Sequence, residues 1–206
     1  MKDTIMNDHI VRDTQDHAIT NPPIAHFFYD DTRFAVVWLV VRVLLGWQWV
    51  QAGLHKLNDP AWMDTGAALK GYWSNAVKIP ATGTPPITFD WYRSLIQGLL
   101  DSGSYVWFAK LVAISEFLVG VALILGLFVG IAAFAGGFMN WNYIMAGTAS
   151  TNPLLFVAAI LLILAWKTAG YYGLDRFLLP YLSTPWGRRD GLSKKIEKPQ
   201  AAVSIN

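Results

Sequence analysis

The sequence predicts an all-α integral membrane protein: a four-helix bundle with an extracytoplasmic cap of short amphipathic helices. Three observations carry this. Hydrophobic residues make up 54% of the 206-residue chain and charged residues 15%, where a soluble domain is nearer a quarter charged. The charges are crowded into both tails, leaving long stretches nearly free of them. Four of those stretches approach the roughly 20 apolar residues that a helix needs to cross a ~30 Å hydrocarbon layer.

The first predicted span is Phe34 to Leu54, with Arg42 as its only charge. The second, Tyr105 to Phe128, carries Lys110 and Glu116. The third, Gly130 to Gly147, follows so closely that a tight hairpin must lie around residues 126–130. The fourth runs from Pro153 to Tyr172, and Thr151-Asn152-Pro153 supplies a capping side chain and a proline at the first helical position. A soluble buried bundle is the competing reading, and four such spans rarely coincide in one. Residues 55–104 differ. Asp59-Pro60 opens one short helix that runs through Asn75, a Pro/Gly/Thr-rich stretch covers 80–86, and a second short helix runs from about Asp90 to Leu100. The aromatic rings there, Trp62, Tyr72, Trp73, Trp91 and Tyr92, favour the headgroup level.

The organisation that follows is a polar tail over 1–33, a membrane domain over 34–180 with its cap at 55–104, and a basic tail over 181–206. The tail 1–33 lacks the basic start and apolar core of a signal peptide. Basic residues concentrate near the ends: Lys2, Arg12 and Arg33 before the first span, and Arg176, Arg188, Arg189, Lys194, Lys195 and Lys198 after the last. With an even number of spans the bias places both termini in the cytoplasm of a multi-pass cell-membrane protein.

Composition also excludes chemistry. There is no cysteine, so disulfides, iron–sulfur clusters, thiolate metal sites and covalent haem are ruled out. Of the histidines His9, His17, His26 and His55, three precede the first span, and no pair can clamp a membrane haem. No Gly-rich nucleotide loop occurs; no flavin or metal site is evident. A net charge of +2 makes no case for nucleic acid. Redox chemistry in this chain must therefore borrow a cofactor or act on a diffusing electron carrier.

A charge inside a bilayer costs at least about 2.5 kcal/mol and calls for a partner. At ~1.5 Å rise per residue, Arg42 lies about 12 Å from the inner start of its helix. Glu116 lies about 16 Å from its outer start, roughly 13–14 Å above the inner face. Arg42 and Glu116 are therefore expected to pair. Asn140 falls at the same depth. Gln48, Gln51 and His55, spaced i, i+3, i+7, share one helix face. With Asn142 they outline a polar pocket entered from outside, the ion pair at its floor. The competing view is that the pair only locks helix register.

Several segments resemble the DoxX/DoxD family of small four-helix membrane proteins: Arg42-Val-Leu-Leu-Gly46, Ala52-Gly-Leu-His-Lys-Leu57, Glu116-Phe-Leu-Val-Gly120, Gly137-Phe-Met-Asn-Trp-Asn-Tyr-Ile-Met-Ala-Gly147 and Ala169 through Pro180. DoxD-like members form the membrane subunit of thiosulfate:quinone oxidoreductase, which joins two thiosulfates into tetrathionate and passes two electrons to quinone. The resemblance thus implies an oxidoreductase subunit with quinone as diffusing acceptor, membrane lipid around it, and a second, DoxA-like subunit or further copies of the chain as partners. Arg42 and Glu116 become candidate catalytic groups. His55, Lys56, Asn140 and Asn142 become candidate donors to the thiosulfate dianion. Gln48, Gln51 and Trp141 are candidates for the quinone. Relatives that handle thiols use cysteines, which this chain lacks. The alternative is a non-catalytic anchor or scaffold subunit of a larger complex.

Overall fold

The computed structural model describes residues 22–182 and, as backbone, two short strands, Val11–Arg12 and Ala18–Ile19, paired antiparallel. The rest of 1–21 and the basic segment 183–206 lie outside the described residues. Residues 21–175 form one compact unit.

Within it the chain is helical: α1 Pro23–Tyr29, α2 Ala35–Leu57, α3 Pro60–Met63, α4 Ala67–Ala76, α5 Asp90–Asp101, α6 Tyr105–Leu125, α7 Val129–Met145, α8 Asn152–Leu164 and α9 Trp166–Ala169; α10 begins at Asp175 and runs to Leu178. Two stretches, Thr32–Leu57 and Tyr105–Leu125, are long and apolar enough to cross a membrane. The other two predicted spans are shorter helices. α7 has 17 residues and α8 has 13 before the chain leaves helical geometry at Ala165. Within the predicted tail 1–33 lie α1 and the start of a 3-10 turn, Thr32–Phe34. This stretch is tied down by Trp38 Nε1 donating to Phe28 O at 2.8 Å and Thr168 Oγ1 donating to Tyr29 O at 2.9 Å.

α2 packs along α6 and α7 along α8, while α6 meets α7 and α2 meets α8. A core of Trp38, Leu45, Trp49, Leu123, Ala133 and Leu162 fills the space between them. The α2–α6 seam is close because glycine permits it. A Cβ on Gly53 or Gly120 would sit 2.5 Å from the backbone nitrogen of Phe117 or Val50 respectively. Small residues at such crossings let backbones approach where no hydrophobic drive separates lipid from protein. The outer faces carry large apolar residues, among them Val40, Leu44, Leu118, Ile131, Phe134 and Val157, all exposed. Apolar surface of that extent marks contact with something other than water.

α6 ends on Gly126 in the left-handed region (φ 69), and Leu127 N closes onto Ala122 O at 2.9 Å, which turns the chain directly into α7. α7 ends the same way at Gly147, with Thr148 N on Tyr143 O at 2.9 Å. α3 and α4 pack on α6 and on each other, and α5 packs on α4. Their own core is Leu69, Trp73, Ile87, Tyr92, Ile96 and Ala109.

Candidate functional site

The expected Arg42–Glu116 pair does not form. Glu116, wholly buried, accepts from Lys56 Nζ at 2.5 Å and from Tyr143 Oη at 2.5 Å. The reason is register. Equal depth for the two charges requires the outer ends of the first two spans to be level. Yet Gly53 faces Phe117 and Gly66 abuts Tyr105, so α6 runs on for 117 − 105 = 12 residues, about 18 Å, beyond the level of Gly53. Glu116 therefore stands beside Lys56. Arg42, 56 − 42 = 14 residues back along α2, is about 21 Å away. It faces Gly126 instead, and its Nη2 donates to Tyr172 O at 3.2 Å.

A cavity of about 320 Å³ opens on the Lys56–Glu116–Tyr143 group. α2 contributes Gln48, Trp49, Ala52 and Lys56, spaced so that 48, 52 and 56 form an i, i+4, i+8 stripe. The predicted stripe shared only Gln48 with it. Gln51 and His55 are exposed and line no described cavity, since one residue of offset rotates a helical side chain by about 100°. α7 contributes Asn140 and Tyr143, three residues apart on one face. Trp62, Thr148 and Asn152 complete the rim. The Lys56 ammonium also lies 5.1 Å from the centre of the Trp62 ring.

Two groups at this cavity stand out. Asn140 is wholly buried, and neither its amide oxygen nor its nitrogen has a hydrogen-bond partner among the described residues. The indole N–H of Trp49, likewise buried, has none. An unmade bond at a buried polar atom costs about 1–3 kcal/mol. Buried groups left so in a polar cavity are poised to bind a small molecule that can donate and accept.

A second chamber, about 560 Å³, lies between α4, α5, α6 and α7. Tyr72 and Tyr143 line both spaces and form the partition; their rings meet edge-on with centres 6.2 Å apart. Asn142, expected beside the dianion, belongs to this chamber: Tyr92 Oη donates to its Oδ1 at 3.1 Å, and its Nδ2 donates to Phe138 O. Trp141 lines neither space and rests on Phe138 and Tyr92. Tyr143 was not singled out in the sequence; its one signal was its place one helical turn after Asn140.

Burial pushes the Tyr92 hydroxyl up to about 12, with Tyr72 nearby adding to it. Burial also raises Tyr72, against the opposing bond to Thr148. The folded state therefore holds the Tyr92 proton more tightly than the unfolded chain. Its contribution is fully present below about pH 10 and is lost between about 10 and 12. Tyr92→Phe is expected to lose less stability than wild type over that interval, as read by parallel alkaline unfolding curves. Identical curves would place Tyr92 in water.

At the opposite end, Asp175 accepts from Phe128 N at 2.6 Å and Val129 N at 2.9 Å, at the start of α7. Burial raises its carboxyl, while those two N–H groups and the Arg42 charge pull it down. No cluster of three or more potential metal ligands occurs among the described residues.

The family model described as DoxX matches residues 37–148, which hold α2 through α7 and every side chain of the Lys56–Glu116–Tyr143 group. The chain belongs to the DoxX family. No curated protein and no solved structure matches it. Membership and the apolar helices together make this DoxX protein a membrane protein.

Proposed function

We propose that this DoxX protein is the membrane subunit of a quinone-linked oxidoreductase. It would draw electrons from a small extracytoplasmic reductant of the thiosulfate class. The observation that carries the reading is the pair of adjoining spaces: a polar cavity with an internal Lys56–Glu116–Tyr143 relay, and an apolar chamber across the Tyr72/Tyr143 partition. In this reading α2, α6, α7 and the α8–α9 pair are four spans of one bundle and α3–α5 cap its outer end. Both termini face the cytoplasm, and a second subunit or further copies complete the enzyme.

In the overall reaction, two thiosulfates each give up one electron and join through a new S–S bond as tetrathionate. The quinone takes up two electrons and two protons. Protons reach it through Glu116 and Tyr143, which are already hydrogen-bonded. Lys56, Asn140, Trp49 and Gln48 bind the donor. Among the described residues the only cation lining the cavity is Lys56, and it is paired with Glu116. A dianion is therefore accommodated only as Glu116 takes up a proton.

The test is thiosulfate binding and quinone reduction by purified protein in lipid, for wild type and Glu116→Gln. The expected result is thiosulfate binding by both proteins, tighter in the folded variant because its Lys56 no longer has a carboxylate countercharge, and quinone reduction lost in the variant. Failure of wild type to bind thiosulfate or reduce quinone, alone or with co-purifying subunits, overturns the reading. It would favour the anchor alternative, for which the exposed Phe89, Trp91 and Leu95 on and beside α5 offer a docking face.

A further inference from the structure

We infer that the chamber between α4, α5, α6 and α7 is the seat of the quinone ring, entered sideways from the lipid. The inference rests on the proposed quinone-linked function and replaces Gln51 and Trp141, which line no described cavity, with a different set of residues.

The chamber's size, about 560 Å³, lies within the span of small-molecule pockets, roughly 300–1,000 Å³. Its walls are apolar and rich in rings: Tyr72, Trp73, Tyr92, Phe108 and Tyr143. Flat aromatic walls suit a flat ring better than a flexible acyl chain, because offset and edge-on ring contacts add to simple burial. Three further lining residues, Leu95 on α5, Leu111 on α6 and Phe138 on α7, are about half exposed, at 51%, 49% and 55%. The mouth is therefore framed by apolar side chains on three helices, the kind of opening that admits a lipid-soluble molecule and leaves its tail outside.

The inner end supplies what quinone carbonyls need. They accept hydrogen bonds and cannot donate. Tyr72 Oη lies 2.8 Å from Thr148 Oγ1 in a bond that either can donate; when Thr148 donates, the Tyr72 O–H is free for a carbonyl. Tyr143 is bonded to Glu116. When Glu116 is protonated it donates to Tyr143, whose own proton then points to the chamber. The same proton uptake that admits the dianion thus aims a donor at the ring. Ser115 adds one more hydroxyl to the lining.

The test is photolabelling of the full chain in lipid nanodiscs with an azido-benzoquinone bearing a ten-carbon tail, mapped by peptide mass spectrometry. Labels are expected on segments 69–73, 92–112 and 135–146. They should fall at least tenfold when excess unlabelled decyl-benzoquinone is present, and not with decanol. Val112→Trp, which fills the chamber, should lose them as well. Competed labels confined to the outer face of α2 around Gln51 would overturn this placement and leave the quinone reading standing. Equal competition by decanol would make the chamber an acyl-chain site and overturn the inference. Absence of any competed label in wild type would overturn the quinone reading itself, and the inference with it.

Discussion

Lys56→Met is expected to destabilise the protein by about 3–5 kcal/mol, the usual cost of removing one partner from a buried ion pair. Glu116 is wholly buried, while the Lys56 side chain is 16% exposed and meets it at 2.5 Å. Without Lys56 the carboxylate keeps one donor, Tyr143, and no countercharge. Glu116→Leu should cost a similar amount by stranding the ammonium, which keeps its ring contacts with Trp62 and Tyr143. The double variant Lys56→Met/Glu116→Leu should recover more than half of either loss, since no uncompensated charge remains and both sites are refilled with apolar volume. Denaturation of all four proteins in the same lipid checks this. Additive losses, or a Lys56→Met cost under about 1 kcal/mol, would mean the pair is not ionised in the resting protein.

The cycle also separates stability from function. If the pair exists to bind and move protons, the stable double variant is inactive. A bracing role alone would leave activity intact in the double variant.

The elements were legible in the sequence because each is a local property. Apolar length marks α2 and α6, and the glycines at 126 and 147 mark the helix ends; Asp59-Pro60 marks the start of α3, but the single helix expected through Asn75 is broken into α3 and α4 by Gly66 in the left-handed region (φ 67). The burial of Glu116 and Asn140 within the helices was also legible, since an ionisable or amide group in an apolar run needs protein around it. The pairing was not, because it depends on how far α6 slides along α2. That slide is set by glycine contacts at 46, 53 and 120, whose partners lie on the other helix. An error of about 17 Å in register was enough to give Glu116 the wrong cation. Tyr143 was hidden for a related reason. An aromatic in an apolar helix is ordinary, and only the position of Glu116 on a neighbouring helix makes its hydroxyl matter. The chamber is less legible still, since α4 and α5 supply much of its wall and their placement over α6 is purely tertiary.

Asp175→Ala should be as damaging as the loss of Lys56, about 3–5 kcal/mol, although it lies at the other end of the unit. Three demands meet on this one wholly buried carboxylate. It accepts the backbone N–H groups of Phe128 and Val129, which begin α7 and have no partner within their own helix. It holds Phe128 in the left-handed region (φ 46), a conformation that costs a non-glycine residue roughly 1–2 kcal/mol. It is also the anion facing Arg42, whose Nε and Nη1 have no hydrogen-bond partner among the described residues. Arg42→Met should cost about 2 kcal/mol less, because Asp175 would keep both backbone donors and the methionine fills most of the vacated volume. Asp175→Asn should fall between them, retaining an acceptor but losing the charge. This order, Asp175→Ala worst and Arg42→Met mildest, is read from unfolding midpoints in one lipid. The reverse order would make Arg42 the organising group and the α7 cap secondary. That outcome would return the buried arginine to the list of functional candidates, since so costly a cation would then be anchored by something other than the turn it now faces.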